Sequence, residues 1–312
     1  MNSETWQPTA DIDVLKKRSR LLLAIRAYFA SAHVTEVEVP AMGTHSVTDP
    51  YLDAISVELG SGTHYLQTSP EYFMKRLLAA GSGPIYSLAK AFRADELGRN
   101  HRPEFTMLEW YRPGFDDKQL IEDVIQLLRS LKPDIQVKQT SYAEVFKKHT
   151  GLDPHKAGAR DLEHVAHKHL DLDWQYSDKN TWLDLLFSHL VEPNLGPDVH
   201  VVFDFPATQC ALARVVVGVN GVPVARRFEV YWGGLELANG YWELTDAAEQ
   251  QRRFASDNQM RASLGKVRLE PDPQLLAAMR AGLPECAGVA LGVDRLIMAL
   301  LELDHIDKQS SF

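Results

Sequence analysis

The sequence predicts an α+β fold in which helices stand at both ends of a run of antiparallel strands. Three observations carry this reading. Near the N-terminus, Leu15, Leu22, Ile25 and Phe29 recur at helical spacing with lysines and arginines between them, the pattern of a helix that buries one stripe. In the second half, residues 199–205, 211–219 and 224–232 are rich in valine and aromatic residues, which fit a pleated, half-buried surface. Helical spacing returns at the C-terminus, and no linker rich in Gly, Pro or Ser divides the chain. Residues 14–312 are therefore expected to form one domain behind a tail of residues 1–13.

In order, residues 14–33 read as the first helix. Val34, Val37 and Val39 suggest a short strand ended by Pro40, because proline donates no ladder hydrogen bond. Residues 81–84 read as a turn, and residues 85–94 and 103–112 as two strands joined by the polar loop 95–102. Residues 117–132 carry Leu120, Val124, Leu127 and Leu128 at helical spacing. Residues 140–151, 160–170 and 181–191 read as shorter helices of an inserted subdomain. Residues 246–264 and 273–281 read as two further helices, Cys286–Gly292 as a strand of small residues, and residues 294–303 as a last helix.

Composition narrows the class. A chain of 312 residues, 45% hydrophobic and 24% charged, has the make-up of an ordinary globular protein able to bury a large core. No apolar run reaches spanning length, and residues 1–13 lack the basic-then-apolar layout of a signal peptide. Two cysteines, Cys210 and Cys286, are too few for a disulfide scaffold or a zinc site of their own. The cytosol is the expected compartment, with no membrane partner. A net charge of −9 without long basic runs argues against an extended RNA-binding surface.

Three segments carry chemistry. On a strand alternate side chains share a face, so Phe105, Met107, Glu109 and Tyr111 are expected to point together. An aromatic plane, a carboxylate and a phenol on one face suit a flat base and a cationic amine; the plainer reading is a hairpin with one solvated face. Glu229, Glu236 and Glu243 lie in the apolar and aromatic stretch 228–243, where carboxylates are costly unless paired with cations or a metal such as Mg²⁺. An exposed strand with solvated acids would also fit. Gly288, Ala290 and Gly292 would leave room on one strand face for a ligand. Arg295 falls at the start of the next helix, where phosphate is favoured, although a tight strand–helix junction has the same spacing.

In this order the segments resemble the three signature motifs of class II aminoacyl-tRNA synthetases. The first helix and the strand ending at Pro40 resemble motif 1, residues 92–111 motif 2, and residues 288–295 motif 3. The closer resemblance is to lysyl-tRNA synthetases, through Thr68-Ser69-Pro70-Glu71, Pro103-Glu104-Phe105-Thr106-Met107 and the Asn239-Gly240 pair followed by Glu243-Leu244. Those enzymes place an anticodon-binding OB-fold before motif 1, whereas a short tail precedes it here. That difference, with residues 65–78 and 103–113, makes the chain similar to the elongation factor P–(R)-β-lysine ligases, truncated paralogues of the lysyl enzymes.

The resemblance implies a class II catalytic fold and roles for individual residues. Arg93 matches the motif 2 arginine that meets the α-phosphate of ATP, and Arg295 the motif 3 arginine near the γ-phosphate. Phe105 would stack on adenine, with Ala94, Asp95, Arg102, Glu236, Leu237 and Gly292 also on the nucleotide. Glu229 and Glu236 match metal-binding glutamates. Glu109, Tyr111 and Glu243 match the residues that hold a substrate's side-chain ammonium, while Ser69, Pro70 and Glu71 line its other end. Ala290 stands where lysyl-tRNA synthetases usually carry glycine, and one methyl there would favour (R)-β-lysine over α-lysine. Asp95 replaces the usual glutamate, and Ala94 and Arg102 replace residues that are often asparagine.

The implied reaction is ATP- and Mg²⁺-dependent formation of a lysine-type adenylate, followed by transfer to a lysine of elongation factor P. Two alternatives are a minimal lysyl-tRNA synthetase, disfavoured by the acidic balance, and a non-catalytic regulator that only binds amino acid or nucleotide. Motif 1 implies a homodimer.

Overall fold

The computed structural model describes residues 6–94, 96–172 and 178–312. Its elements begin with helix α1 (Ile12–Ser31), started by the Asp11 side chain accepting from the Asp13 amide. Short strands follow: β1 (Thr35–Glu36), β2 (Met42–Gly43), β3 (Ser56–Leu59) and β4 (Gly62–Leu66). Helix α2 (Glu71–Ala79) leads into β5 (Ile85–Phe92), β6 (Glu104–Pro113) and helix α3 (Asp117–Leu131). The middle of the chain holds β7 (Val137–Ser141), helices α4 (Tyr142–Thr150), α5 (Ala159–His169) and α6 (Lys179–Leu186), and β8 (Val199–Pro206). Then come β9 (Val215–Val217), β10 (Pro223–Trp232), β11 (Leu235–Trp242), α7 (Ala247–Ser263), α8 (Pro273–Gly282), β12 (Cys286–Gly292) and α9 (Val293–Leu301).

The main sheet runs β1-β5-β6-β12-β11-β10-β8-β7, with β9 paired to β10. Its interior is antiparallel, while the β1–β5 and β7–β8 pairs at its two edges are parallel. A small sheet, β2-β4-β3, stands apart from it. The α+β reading holds, as do the strands at 85–94 and 103–112 to within two residues at each end.

Four details differ from the sequence reading. Val37 and Val39 lie beyond β1, which ends at Glu36; the Val37 amide still donates to the Tyr86 carbonyl at 2.8 Å before Pro40 ends the run. The segment read as helix from residue 140 begins as strand, and α4 starts only after Ser141 caps it in a reciprocal pair with Glu144. Residues 211–219 supply only the three-residue strand β9, because Ala211 sits at φ 44°, a left-handed turn conformation. The helix read over 181–191 gives way at Phe187 to a single wider π turn.

The sheet has two different faces. One is packed by α1, α3 and α9: Ile25, Phe29, Val124, Leu128, Leu296 and Ile297 meet Leu108, Trp110, Phe228, Val230, Val289 and Leu291 in a continuous core. A second cluster joins α4, α5 and α6 to Val202 and Phe205 of β8, and a third joins α2 and α8 to Ile85, Tyr111 and Cys286. Arg226 ties the sheet to α3 through Asp117 at 2.7 Å and also pairs with Asp204, which sits at φ 56°. Among the described residues no helix is long and apolar enough to cross a membrane.

Gly240 is where the core face leaves no room. A Cβ built there would lie 2.4 Å from Phe228 Cζ and 3.0 Å from Val289 Cβ. Gly240→Ala is expected to cost about 1–3 kcal/mol through overpacking. Thermal melts should show a fall of several degrees, while Gly60→Ala, which meets nothing within 4 Å, should melt with the wild type.

Candidate active site

The face opposite α1, α3 and α9 borders a cavity of about 670 Å³. Strand register builds it. Glu109 of β6 pairs with Ala290 of β12, Ala290 with Asn239 of β11, and Asn239 with Glu229 of β10. Cross-strand partners project to the same side, so these four side chains form one row. Three strand spacings separate Glu109 from Glu229, roughly 14 Å between backbones. A parallel row runs Tyr111, Gly288, Tyr241, Arg227. Gly288 is obligatory: a Cβ there would lie 2.3 Å from the Tyr111 ring and 2.7 Å from Glu243 Oε1.

One end of the cleft is a closed acidic pocket. Glu109 is 2% exposed; its Oε1 accepts from the Tyr111 hydroxyl at 2.7 Å and its Oε2 from Ser69 at 2.8 Å. Glu243, just past the end of β11, is 1% exposed, and its Oε1 has no hydrogen-bond partner. Glu71 opens α2, where Ser69 Oγ accepts from its amide. Lys75, one turn along α2 and 2% exposed, reaches Glu71 at 2.6 Å and Glu243 at 2.7 Å. Burial pushes the carboxyls of both Glu109 and Glu243 up to about 8; neighbouring Glu71 adds to each, and Lys75 offsets part of the effect at Glu243.

The other end is cationic and aromatic. The Arg93 guanidinium lies 5.1 Å over the Phe105 ring and 3.5 Å from Glu96, with its Nε buried and unpartnered. Arg295, in the first turn of α9, donates to the Glu236 carbonyl at 2.9 Å and contacts His101. Burial and that guanidinium hold the His101 imidazolium below its ordinary range. Arg102 pairs loosely with Asp307, at 3.6 Å.

Between the arginines and α6 lies a group of carboxylates. Glu229 accepts from Arg227 and Tyr231, and burial raises its pKa against the pull of Arg227. Glu192 is pushed up to about 7 by burial and by the charges of Glu236 and Glu229. Burial first, and then the neighbouring acid charges, disfavour the ionised forms of Glu229 and Glu192, and added positive charge in the form of a hard, oxygen-seeking divalent ion would suit them. Among the described residues no set of three or more acids, histidines or cysteines closes into a cage, so an ion here would need oxygens from a bound phosphate chain as well.

Most residues singled out from the sequence converge on the cavity: Ser69, Glu71, Arg93, Arg102, Phe105, Glu109, Tyr111, Glu229, Glu236, Leu237, Glu243, Ala290, Gly292 and Arg295 all line it. Pro70 instead caps α2 and Ala94 donates its amide to the Asp53 carbonyl, so neither lines the cavity. Asp95 lies outside the described residues. Lys75, Asn239, Arg227, Tyr241 and His101 were missed as site residues. The Glu71–Lys75 spacing of one helical turn was the signal that could have flagged Lys75.

Known proteins resemble this chain over nearly its whole length. A family model described as tRNA synthetases class II (D, K and N) matches residues 9–312. A Vibrio cholerae protein is 48% identical over 100% of this chain and 98% of its own length. A Photobacterium profundum protein is 47% identical over 99% and 98%, and a Haemophilus ducreyi protein 46% over 98% and 95%. Each of the three bears the name elongation factor P–(R)-β-lysine ligase.

The raised carboxyls make a stability test. With a folded pKa of about 8 against an ordinary 4.5, the contribution of Glu109 is full below about 4.5 and is lost as pH rises through about 8. Glu109→Gln, which cannot ionise, is therefore expected to melt above the wild type at about pH 8.5 and to lose that advantage near pH 5. Thermal melts across this range check it.

Proposed function

The chain belongs to the class II tRNA synthetases of the D, K and N group, and on that premise we propose that it uses ATP to activate (R)-β-lysine, or lysine, and passes the acyl group to a lysine side chain of elongation factor P. One observation carries the reading: a single cleft has buried carboxylates Glu109 and Glu243 at one end and Arg93 and Arg295 at the other. A substrate with an amine at one end and a carboxylate at the other spans that polarity. The names of the similar proteins supply the acceptor. An elongation factor as acceptor also makes the cytosol its place of work.

In the first step the amino acid's carboxylate oxygen attacks the α-phosphorus of ATP and pyrophosphate leaves. Arg93 swings from the Phe105 ring to the α-phosphate and gives adenine the aromatic face; Arg295 holds the far phosphates. Their work is electrostatic: fixed cations meet the charge that builds on phosphate oxygens, and no covalent enzyme intermediate is needed. Glu229 and Glu236 would hold a magnesium ion, which would supply further positive charge against the phosphates. At the other end Glu109, Tyr111 and Glu243 receive the side-chain ammonium, and Ser69 and Glu71 line the pocket beside it. In the second step the neutral acceptor amine attacks the acyl carbon, AMP leaves, and the amine proton goes to solvent.

Ala290 pairs with Glu109 on one side and Asn239 on the other, so its methyl faces the middle of the substrate. A single methyl discriminates by about 1–3 kcal/mol, which suits selection between positional isomers of one diamino acid. The homodimer is part of the same proposal. Helix α1 buries only Ile25 and Phe29 and leaves Leu23 68% exposed, and β1 is a bare two-residue edge; light scattering tests it.

The decisive assay supplies ATP, labelled (R)-β-lysine or α-lysine, elongation factor P and tRNA together. Label is expected on elongation factor P, more from β-lysine; label on tRNA instead would make the chain a minimal synthetase. Arg93→Ala and Glu243→Ala are expected to slow adenylate formation by about 10²–10³-fold. Ala290→Gly should move the preference towards α-lysine by about 10-fold or more, read as the ratio of kcat/KM values in pyrophosphate exchange.

A further inference from the structure

Lys75 lies behind the acidic end of the cleft, against two of the carboxylates that line it. Three carboxylates meet there: Glu71 from α2, Glu109 from β6 and Glu243 from the end of β11. Among the described residues Lys75 is the one cation within ion-pair distance of any of them, at 2.6 Å from Glu71 and 2.7 Å from Glu243. Glu109 has only the neutral hydroxyls of Ser69 and Tyr111. Three acids against one ammonium leave two negative charges unmatched when all are ionised.

We infer that Lys75 is the pocket's built-in counter-ion: it cancels one of the three carboxylates that meet there, two of them fully buried, and so sets at two the positive charges that a bound amino acid must bring. The inference rests on the activation reading above and deepens it. A diamino acid, with both amines protonated, closes the count. A buried charge left unmatched is costly, so the empty pocket keeps protons in place of the missing cations. The raised carboxyls of Glu109 and Glu243 agree with this.

Among the described residues the surrounding elements supply no substitute charge: Arg227 of β10, paired with Tyr241, is held by Glu229. Tyr72 of α2, Tyr111 of β6, Tyr241 of β11 and Cys286 of β12 face this corner, and burial holds all four in their neutral forms. On α7, Asp257 is engaged by Thr48 and Arg253 by Glu249. Lys75 itself stays charged: its two carboxylates outweigh the cost of burial and lift its pKa above the ordinary lysine value. Entry of a dication therefore displaces protons from Glu109 and Glu243 to solvent, while the ligand's own protons stay on its amines.

Calorimetric titration of the intact protein near pH 7, in buffers of different ionisation enthalpy, counts those protons. Lysine or β-lysine is expected to release about two, and 6-aminohexanoate or norleucine, each short of one amine, about one. The release should shrink towards pH 8.5. In Lys75→Met the release should persist at pH 8.5, and KM for the diamino acid in pyrophosphate exchange should rise about 10-fold or more with a smaller change in kcat; Lys75→Arg should restore the wild-type pH profile. Equal proton counts for the diamino acid and the monoamines, or a wild-type pH profile in Lys75→Met, would overturn the inference alone. Absence of amino-acid-dependent exchange in the wild type would remove the activation reading beneath it. The ligand series uses the unaltered protein, so it decides the matter even if Lys75→Met does not fold.

Discussion

The arrangement of this molecule depends on the register of β12 between β6 and β11. Ala287, Val289 and Leu291 must fill the core beneath α3 and α9. The alternate positions, Gly288, Ala290 and Gly292, then have to face the cleft, because side chains change sides at every residue. A slip of one residue would turn valine and leucine into the ligand space and leave glycines in the core. The same register aligns Glu109 with Glu229 across four strands, so the acidic pocket and the second group of carboxylates hold a fixed separation without relying on loops.

The parts of this plan that are periodic were legible in the sequence. Alternation over 105–111 placed Phe105, Met107, Glu109 and Tyr111 on one face, and all four line the cleft. Strand β11 was not marked as one, because Glu236, Asn239 and Gly240 have poor strand propensity and it is pairing with β10 and β12 on both sides that holds them. Helix α2 went unmarked although Glu71 and Lys75 stand one turn apart. No sequence pattern says that Lys75 will also meet Glu243, because that contact joins positions 168 residues apart (243 less 75) through the third cluster's packing. Pro70 and Ala94, carried over from a motif, proved to shape backbone beside the site rather than line it.

The acidic pocket is a local conflict within an otherwise consistent structure. Glu109 and Glu243 are almost wholly buried with their ionised forms disfavoured, an arrangement that folding alone would not retain. Natural proteins break such rules where function requires it. The surrounding packing is correspondingly firm: Tyr111, Leu78, Met74 and Cys286 are all at most 2% exposed, so the strained groups cannot relax by moving apart.

The three cleft-facing positions of β12 differ sharply in the space they offer. At Gly288 any side chain collides with Tyr111 and Glu243, whereas at Gly292 a Cβ would meet only Arg295, at 3.8 Å. Ala290 already carries the one methyl between them. Evolutionary drift in substrate choice is thereby channelled: the amine end is closed to change from this strand and position 292 borders the nucleotide. A lineage that alters its amino acid through β12 has position 290 as its adjustable point, and it can do so in steps of a single methyl.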